Sequence, residues 1–426
     1  MPPFDSNTPL FGGANVVFVG DLAQLAPVLA HPVYIHFETD LSTRQRAQRA
    51  ARLHNATTEF EDIGVNLWAA ASATVVILKI NNRARSDPAF AHQLAVARNG
   101  NFAPNGSVAK LIRSRTFATA ADRAKAIATA LTTASALDTR IIVCSNAARV
   151  AWYTTIYARI AAAAHAAEAP PPIMVEAVIS IARSPPRDST RNLLLRLPGS
   201  SATCYYDMRV PLAIGTPVMF IDNIATSAAI CNGTTGIVVG VVFPDNVTFV
   251  HKILSRSVPN SVVRIPNTLP AVVYVDVPSL RGRTSHLPGV PDTFPTSVVA
   301  VVPRAASGCR LTVPSANRTA HAPTKINFSL RQLPIVAAFT STVHKVQGTS
   351  LSVAIIPAFA EKTISPNATL SAQALYVAMS RARTSSGLIF FQSPTFNYLN
   401  RLKLPDNLKR ELQRTTANDV APPLTQ

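Results

Sequence analysis

Near its C-terminal end the chain reads Ile335-Val-Ala-Ala-Phe-Thr-Ser-Thr-Val-His-Lys-Val-Gln-Gly348. The apolar run that opens this stretch is typical of a strand buried in a parallel sheet, because both faces of such a strand are covered. Hydroxyl, basic and amide side chains follow, at the edge of an α/β sheet where ligands bind. Free N–H groups of a helix starting there would favour an anion, so Thr342 to Gly348 predict a phosphate-dependent site. A capped helix with a solvated lysine is the alternative.

A similar pattern stands near the other end of the chain. Asn15-Val-Val-Phe-Val19 predicts a second buried parallel strand, and Gly20, Asp21 and Gln24 follow it. A side-chain amide at the end of a strand can sense a phosphate through its hydrogen bonds. A turn closed by an Asx-type bond would use the same residues, so this motif alone leaves both interpretations open.

Two arginines complete the candidate site. Arg83 follows the apolar run 75–78, which predicts another strand, and Arg381 ends a helix predicted over residues 371–380. An isolated arginine is commonly a surface or ion-pair residue, and one at a helix C-terminus also interacts well with the helix dipole. The functional alternative is an arginine finger, whose guanidinium stabilises the charge that develops in phosphoryl transfer.

The order of the predicted elements favours an α/β fold. Apolar strands and helices alternate up to about residue 200 and again from residue 335, which is typical of a parallel sheet. Between them, short β-branched runs separated by Gly, Pro and Asn predict a small β-barrel. One parallel-sheet domain split by a β-barrel insert is the simplest architecture. Further helices are predicted over residues 44–53, 88–98, 121–137, 147–165 and 406–414, and further strands over 140–144, 217–221, 236–243, 271–277, 352–356 and 387–391.

The charge of the chain predicts a polyanionic partner. Lys and Arg number 40 against 22 Asp and Glu, a net charge of +18 over 426 residues. Such an excess attracts phosphate backbones, so we expect nucleic acid to bind, a basic surface without a ligand being the alternative. The apolar runs are too short to span a bilayer and no signal peptide opens the sequence, which favours an intracellular protein with no membrane partner.

The cysteines give no sign of a metal site. Cys144, Cys204, Cys231 and Cys309 are too widely spaced for a Cys-x-x-Cys motif, and no histidine cluster accompanies them. We therefore predict four free thiols in a reducing compartment and no bound metal among the site residues.

Taken together and in this order, the motifs resemble the C-terminal part of Pif-type DNA helicases of superfamily one. That family has Gly-Asp-Phe-x-Gln-Leu-Pro-Pro-Val, Asn-x-Arg, an insert with Gly-x-Pro-Val-Met and Asn-Gly-Thr-x-Gly, then Thr-x-His-Lys-x-Gln-Gly-x-Thr and Tyr-Val-Ala-x-Ser-Arg. The corresponding segments here begin at Gly20, Asn81, Gly215, Asn232, Thr342 and Tyr376, within residues 10–395. The sequence departs from the family at Leu22, Ala26 and Ser350, where the family has Phe, Pro and Thr.

The resemblance implies an ATP- and Mg²⁺-dependent motor that moves 5′ to 3′ on DNA, acting in repair, recombination and telomere maintenance. Single-stranded or forked DNA would be the partner, and the nucleus, or else mitochondria, the location. The implied catalytic residues, which would line the γ-phosphate between two RecA-like domains, are Gln24, Arg83 and Arg381, with Gly20 and Asp21 at the nucleotide. The implied DNA-coupling residues are Thr342, His344, Lys345, Gln347 and Gly348.

The resemblance also divides the chain into domains. Residues 1–70 would be a remnant of the first RecA-like domain, and 71–204 with 332–400 would form the second. Residues 205–331 would be the β-barrel insert with its Pro- and Gly-rich loop, and 401–426 a basic helix followed by a disordered tail.

Two motifs of the family are absent from the sequence. It contains neither Gly-x-x-x-x-Gly-Lys-Ser/Thr nor an Asp-Glu pair, which in such motors bind the β/γ-phosphates and Mg²⁺. We therefore expect a helicase fragment that binds ATP poorly and is inactive alone. A non-catalytic nucleic-acid-binding module derived from a helicase or transposon is one alternative. Another is complementation by a separate chain that supplies the missing motor half.

Overall fold

The computed structural model describes residues 10–27, 31–35, 40–43, 45–46, 56–131, 135–182, 184–313, 324–360 and 369–420. The chain divides into two compact units. The first comprises Met1–Thr116, Leu370–Ser386 and Ser393–Gln426, and the second comprises Phe117–Thr369 and Gly387–Gln392.

Helices and strands are numbered in chain order. The helices are α1 (Ala56–Ala71), α2 (Pro88–Arg98), α3 (Ser107–Ser114), α4 (Ala120–Leu131), α5 (Asn146–Ala166), α6 (Asp188–Leu194), α7 (Ala372–Met379), α8 (Phe396–Arg401) and α9 (Asp406–Ala417). The strands are β1 (Thr139–Val143), β2 (Met174–Glu176), β3 (Val178–Ser180), β4 (Arg209–Pro211), β5 (Pro217–Phe220), β6 (Thr235–Val242), β7 (Phe249–Ile253), β8 (Val262–Pro266), β9 (Val272–Asp276), β10 (Val298–Val301), β11 (Arg304–Val313), β12 (Thr324–Gln332), β13 (Ile335–Ala337), β14 (Thr340–Thr342), β15 (Val353–Ile356) and β16 (Leu388–Phe390).

The first unit contains α1 to α3 and α7 to α9. Helix α2 begins and ends where the sequence predicts, because Oδ1 of Asp87 accepts a hydrogen bond from N–H of Phe90 at 3.0 Å and Asn99 caps the other end. Helices α1 and α9 are joined by the indole Nε1 of Trp68, which donates to Oε1 of Glu411 at 2.7 Å. These contacts connect segments from both ends of the chain.

A parallel sheet forms one part of the second unit. Its order is β14-β1-β15-β16, and all three pairings are parallel. Apolar side chains from β1, β15 and β16, among them Val143, Ile355 and Ile389, are buried together. This confirms the predicted α/β class, and it places Thr342, the last residue of β14, at the carboxyl edge of the sheet.

Antiparallel sheets form another part of the second unit, which also contains α4 to α6. A five-stranded sheet has the order β10-β9-β6-β5-β13, and a three-stranded sheet has the order β11-β12-β3. The β-branched runs predicted β5, β6 and β9 of the five-stranded sheet, whereas closure into a barrel stays a prediction. Strand β13 was predicted to belong to the parallel sheet, but it pairs antiparallel with β5, as Val336 opposite Met219 illustrates. An apolar run indicates a buried strand and does not indicate its partner.

Two predicted strands near the N-terminal end are wrong. Residues 14–21 and 76–80 have no strand pairing among the described residues, and only Val75 forms a bridge, with Asp419. The side chains of Val17, Val19 and Leu78 are 84%, 86% and 83% exposed. A β-prone sequence becomes a strand only when another strand supplies hydrogen-bond partners, and neither segment pairs with a strand among the described residues of the first unit.

Smaller differences concern the ends of helices. Helix α5 begins at Asn146, one residue before its predicted start, because Oγ of Ser145 accepts from N–H of Ala148 at 3.1 Å and caps the helix. Helix α4 ends earlier than predicted, and a short 3₁₀ turn over Ala136–Asp138 precedes β1. Helix α9 runs to Ala417, three residues beyond its predicted end. The helix predicted over 44–53 and the tail beyond residue 420 fall largely outside the described residues.

Candidate functional site

Asp21 lies at the centre of a group of side chains in the first unit. Its Oδ1 accepts a hydrogen bond from Nε of Arg98 at 2.9 Å, and its Oδ2 accepts one from the hydroxyl of Tyr376 at 2.8 Å. The backbone N–H of Ala23 also donates to Oδ1, at 3.2 Å. Asp21 therefore joins the N-terminal motif to α2 and α7, and both carboxylate oxygens have partners within the protein.

Arg83 and Arg381 meet at the C-terminal end of α7. Nη1 of Arg83 donates to the carbonyl oxygen of Ser380 at 3.0 Å. Arg381 is 1% exposed; its Nε donates to the carbonyl oxygen of Val377 at 2.9 Å and its Nη2 to Oγ of Ser380 at 2.7 Å. Ser380 thus contacts both arginines, although they lie far apart in the sequence.

The electrostatics of this group favour an anion. Burial, followed by the nearby charge of Arg83, lowers the pKa of Arg381 to about 10. Burial also lowers the pKa of Arg83. Both shifts mean that the surroundings disfavour the charged guanidinium. Arg83, Arg98 and Arg381 carry three positive charges against the single negative charge of Asp21, and a phosphate would offset that excess.

Helix α7, which precedes Arg381, also positions Gln24. Nε2 of Gln373, in α7, donates to the backbone carbonyl oxygen of Gln24 at 2.5 Å, and N–H of Gln24 donates to the carbonyl oxygen of Asp21 at 3.1 Å. Gly20 directly precedes Asp21 in an irregular segment. The structure therefore places all five residues predicted at the nucleotide in the first unit. The contacts of Gln24, Arg83 and Arg381 with a γ-phosphate stay a prediction.

The predicted DNA-coupling residues lie in the second unit, after β14. N–H of Val343 donates to the carbonyl oxygen of Val143 at 3.0 Å, and N–H of Lys345 donates to that of Thr342 at 3.0 Å. Residues 343–348 form successive turns, so the helix predicted to start here is wrong. Gly348, at φ +85°, ends the turns in the left-handed region that favours glycine. Thr342 is buried, whereas His344 and Gln347 are exposed.

Lys345 is half-buried near an ion pair that sequence reasoning missed. Both Nη atoms of Arg149, in α5, donate to the carboxylate of Asp207, at 2.8 and 2.5 Å, and both side chains are 1% exposed. Burial, and then the charge of Arg149, lowers the pKa of Lys345, while Asp207 opposes the shift. An arginine and an aspartate 58 positions apart give no pattern that predicts such a pair.

A second basic group surrounds Glu176 in the second unit. Oε1 accepts from Nη2 of Arg209 at 2.9 Å, Oε2 accepts from Nη2 of Arg191 at 2.8 Å, and Nζ of Lys252 lies 3.7 Å from Oε1. The side chain of Glu176 is 6% exposed, whereas its three partners are 25% to 49% exposed. One carboxylate thus holds three partly exposed cations together, and the group keeps an excess of two positive charges.

The residues of the first unit fit part of an ATP–Mg²⁺ complex. The paired guanidinium groups of Arg83 and Arg381 suit a phosphate. A magnesium site does not fit, because the carboxylate of Asp21 is occupied by Arg98 and Tyr376. No group of three or more His, Cys, Asp or Glu that could hold a metal occurs among the described residues. Within the same residues, no helix combines the length and the apolar character needed to cross a membrane.

Comparison with known proteins identifies the fold. Residues 337–389, which include β14, the turns after it, α7 and Arg381, match the family model described as UvrD-like helicase C-terminal domain. This segment is thus similar to a helicase C-terminal domain. It also resembles the crystal structure of Bacteroides Pif1 bound to single-stranded DNA, with 20% identity, a TM-score of 0.50 and 95% of this chain covered. The resemblance to Pif-type helicases that the motifs predicted is therefore confirmed for the fold.

Two further solved structures are similar. Pif1 helicase from Candida albicans has 16% identity and a TM-score of 0.44 over 79% of this chain. Pif1 helicase from Bacteroides in complex with ADP-AlF3 and single-stranded DNA has 19% identity and a TM-score of 0.43 over 82% of this chain. The chain spans 67%, 59% and 58% of the length of these three structures. No curated protein matches the sequence.

Proposed function

We propose that this chain is the phosphate-sensing and DNA-coupling part of a Pif-type helicase that uses ATP and Mg²⁺ to move 5′ to 3′ on DNA. The observation that carries the proposal is the pair Arg83 and Arg381, which share contacts with Ser380 beside a single carboxylate. A γ-phosphate is the ligand that such a positively charged group would stabilise in a phosphoryl-transfer motor. Repair, recombination and telomere maintenance, in the nucleus or mitochondria, follow from the family resemblance.

Within this proposal Arg83 and Arg381 bind the terminal phosphate. Gln24, whose backbone is tied to α7, orients the attacking water or senses the phosphate with its amide. Asp21 acts as a positioning residue, since its carboxylate holds Arg98 and Tyr376. The P-loop, the metal carboxylate and Mg²⁺ itself would have to come from another polypeptide segment, because the sequence has neither motif.

In the second unit, Thr342, His344, Lys345, Gln347 and Gly348 couple the motor to DNA. His344 and Gln347 are exposed and can reach a ligand, and the ammonium of Lys345 is held by turns anchored on the parallel sheet. The basic group around Glu176 adds further positive charge to the same unit. A single DNA strand, to which Bacteroides Pif1 is bound in its crystal structure, is the partner we propose.

Binding of a fluorescent single-stranded oligonucleotide, measured by anisotropy at several salt concentrations, tests this proposal. We expect affinity to fall steeply as salt rises, because phosphate contacts release counterions. Lys345→Ala should weaken binding about 10-fold and reduce the salt slope by about one. Lys409→Ala is the matched control, since Lys409 is exposed and paired only locally with Asp406. Salt-independent binding, or equal affinities of the two variants, would contradict the proposal.

A non-catalytic nucleic-acid-binding module is the second candidate, and the basic group around Glu176 favours it. Arg191, Arg209 and Lys252 are partly exposed and need no nucleotide to contact a phosphate backbone. Simultaneous replacement of Arg191 and Lys252 by Ala separates the candidates. If the chain is a non-catalytic module, the double replacement weakens DNA binding and Lys345→Ala does not. If it is part of a helicase, Lys345→Ala weakens DNA binding more than the double replacement does.

The exposed apolar segments of the first unit support the proposal that a partner chain binds to this unit. Val17, Val19 and Leu78 are more than 80% exposed, and unpaired β-prone segments readily pair with another chain. The occupant that we propose is a polypeptide with a P-loop and an Asp-Glu motif, as in the missing half of a Pif-type motor. Adding such a purified motor half should produce DNA-stimulated ATP hydrolysis that Leu78→Asp abolishes; no hydrolysis with any mixture would contradict complementation.

A further inference from the structure

Two cysteines that the sequence separates by 105 positions lie side by side in the second unit. The Sγ atoms of Cys204 and Cys309 are 2.8 Å apart, well inside van der Waals contact of two sulfurs. Cys204 follows a 3₁₀ turn over Ser201–Thr203, and Cys309 lies in β11. Both are free thiols in this structure. The sequence predicted no relation between them, since neither stands near another cysteine.

The surroundings hold the two sulfurs in place. Cys309 is fully buried, in a core cluster with Phe328 and Leu330, and Cys204 packs against the edge of that cluster. Sγ of Cys204 also donates to the carbonyl oxygen of Ser307 at 3.4 Å. A thiol pair within a packed core needs no large backbone movement to close a bond, which is the main geometric requirement for a disulfide.

The backbone next to each sulfur is unusual. Cys204 and Tyr205 have φ of +50° and +69°, in the left-handed region that residues with a Cβ seldom adopt. On the other side, β11 and β12 shift register between Ala306 and Cys309, and Gly308 has φ +77°. Strained conformations persist where the surroundings enforce them, and they cluster at functional positions. Here they flank a pair of nucleophilic groups.

We propose that Cys204 and Cys309 form a redox-active dithiol that closes to an intramolecular disulfide when a peroxide is the oxidant. The thiolate of Cys204 attacks one oxygen of hydrogen peroxide and the O–O bond breaks; the hydroxide that leaves takes up the proton that the thiol had released, giving a sulfenic acid and water. The sulfur of Cys309 then attacks Sγ of Cys204, the S–S bond forms, and the sulfenic oxygen leaves as a second water after taking the thiol proton. Two thiols and one peroxide thus give one disulfide and two waters. This proposal is independent of the helicase function.

The order of the two steps follows from exposure. Cys204 is partly exposed and can meet a solvent-borne peroxide, whereas the side chain of Cys309 is inaccessible. Burial, together with the hydrogen bond to Cys204, raises the pKa of Cys309 to about 12, so this thiol does not react with peroxide on its own at neutral pH. It acts as the resolving thiol for its oxidised neighbour.

The crosslink would enclose most of the antiparallel part of the second unit. The chain between residues 204 and 309 contains β4 to β10, including four of the five strands in the large antiparallel sheet. Closing so long a loop restricts the unfolded chain strongly, so the oxidised protein should be more resistant to heat. The disulfide would therefore act as an oxidation-dependent clamp on this part of the unit.

The test is peroxide treatment of the full 426-residue chain, followed by blocking of free thiols with N-ethylmaleimide, proteolysis and mass spectrometry. We expect a dithiothreitol-sensitive peptide pair that joins Cys204 to Cys309, at the expense of two maleimide labels, and a Tm several degrees above that of the reduced protein. Cys204→Ser and Cys309→Ala should each abolish the pair, and Cys231→Ser should leave it unchanged.

Other outcomes would overturn the proposal. Crosslinks through Cys144 or Cys231, or sulfinic acid at Cys204 without the pair, would mean that the sulfurs do not react with each other. Cys204→Ser is the safer of the two variants, because Cys204 is only partly buried and its replacement alters no fully buried side chain. If that variant melts at the temperature of the reduced wild type yet still gains Tm on oxidation, the clamp does not involve these cysteines.

Discussion

At the residue scale, the described part of the first unit brings three arginines, Arg83, Arg98 and Arg381, together with the carboxylate of Asp21. Ser380 receives hydrogen bonds from Arg83 and Arg381, and the one carboxylate of the group, Asp21, is shared between Arg98 and Tyr376. Burial lowers the pKa of both Arg83 and Arg381. Such a group is less stable by itself than with an anion, so a ligand phosphate should stabilise the folded protein.

Arg83→Ala should remove much of the stabilisation by phosphate ligands. We expect millimolar ATP or tripolyphosphate to raise the Tm of the wild-type chain, because a ligand that binds only the folded state shifts the unfolding equilibrium. The shift should fall by more than half in Arg83→Ala. Arg85→Ala is the matched control, since Arg85 is exposed two positions away. Differential scanning fluorimetry measures the ligand-induced rise in Tm of both variants. An equal rise in the two would refute the phosphate-binding role of Arg83.

Glu176 gives a residue-scale prediction for acid. Burial alone would raise its pKa, but Arg209, Lys252 and Arg191 outweigh burial and lower it below 4.5. A carboxylate with a lowered pKa adds stability that is present above its unfolded pKa and is lost as pH falls through its folded pKa. Glu176→Gln should therefore cost about 2 kcal/mol near pH 7 and flatten the fall of unfolding free energy below pH 4.5.

Urea unfolding at a series of pH values measures the free energy of unfolding of wild type and Glu176→Gln and so checks this prediction. The control is Glu168→Gln, because Glu168 is exposed and no ion pair of it is among the contacts described. Parallel pH profiles for wild type and Glu176→Gln would show that the carboxylate contributes nothing specific.

At the scale of elements, hydrogen bonds join the start of α2 to the segment that follows α7. Oδ1 of Asp87 caps α2, and its Oδ2 accepts from N–H and Oγ of Ser385 at 2.9 and 2.6 Å. Arg83 lies four residues before Asp87, and Arg381 lies four residues before Ser385. One carboxylate therefore helps to fix the distance between the two segments that carry the arginines.

Asp87→Ala should destabilise the first unit by about 2–3 kcal/mol, because it removes a helix cap and two hydrogen bonds to a charged acceptor. Asp87→Asn keeps a good N-cap oxygen but loses the acceptor of the two Ser385 hydrogen bonds, so it should cost about 1 kcal/mol less than Asp87→Ala. Unfolding followed by the fluorescence of Trp68, a residue of the same unit, measures the difference. Equal stability of the Ala and Asn variants would mean that the cap contributes little, because both variants lose the acceptor of the Ser385 hydrogen bonds.

At this scale the sequence was a good guide to local structure and a poor guide to pairing. The caps of α2 and α7 follow from Asp87 and Ser371, since capping depends on neighbouring residues alone. The exposed run at Val17 and the antiparallel strand β13 were mispredicted for one reason. Apolar β-branched residues favour any sheet, and the choice of sheet depends on distant segments.

At the scale of the whole molecule, the chain shares its fold with a Pif1 helicase structure, and its sequence contains neither of two motifs that phosphoryl-transfer motors use. The charge of +18 gives it attraction for nucleic acid, and the fold is shared with Bacteroides Pif1. The side chains that we propose as phosphate sensors, without a P-loop or a metal carboxylate, would supply only part of the stabilisation that phosphoryl transfer needs.

We therefore predict negligible ATP hydrolysis by the purified 426-residue chain, with or without single-stranded DNA. The loss of one transition-state cation costs about 10³-fold in related motors, and the missing loop, lysine and metal ligand should cost more. Phosphate release measured in a coupled assay decides this. DNA-stimulated turnover that Arg381→Ala removes, while exposed Arg256→Ala retains it, would contradict the prediction.

The sequence by itself determined the α/β fold class and the family resemblance of the protein. The motifs at Gly20, Thr342 and Tyr376 carried the helicase resemblance, and the charge indicated the partner, because side-chain chemistry and local spacing are properties of the chain alone. Only the tertiary structure decided that Ser380 joins Arg83 to Arg381, that Asp207 pairs with Arg149, and that Cys204 meets Cys309. Such contacts join segments that are distant along the chain, and the packing of the whole core selects which of them form.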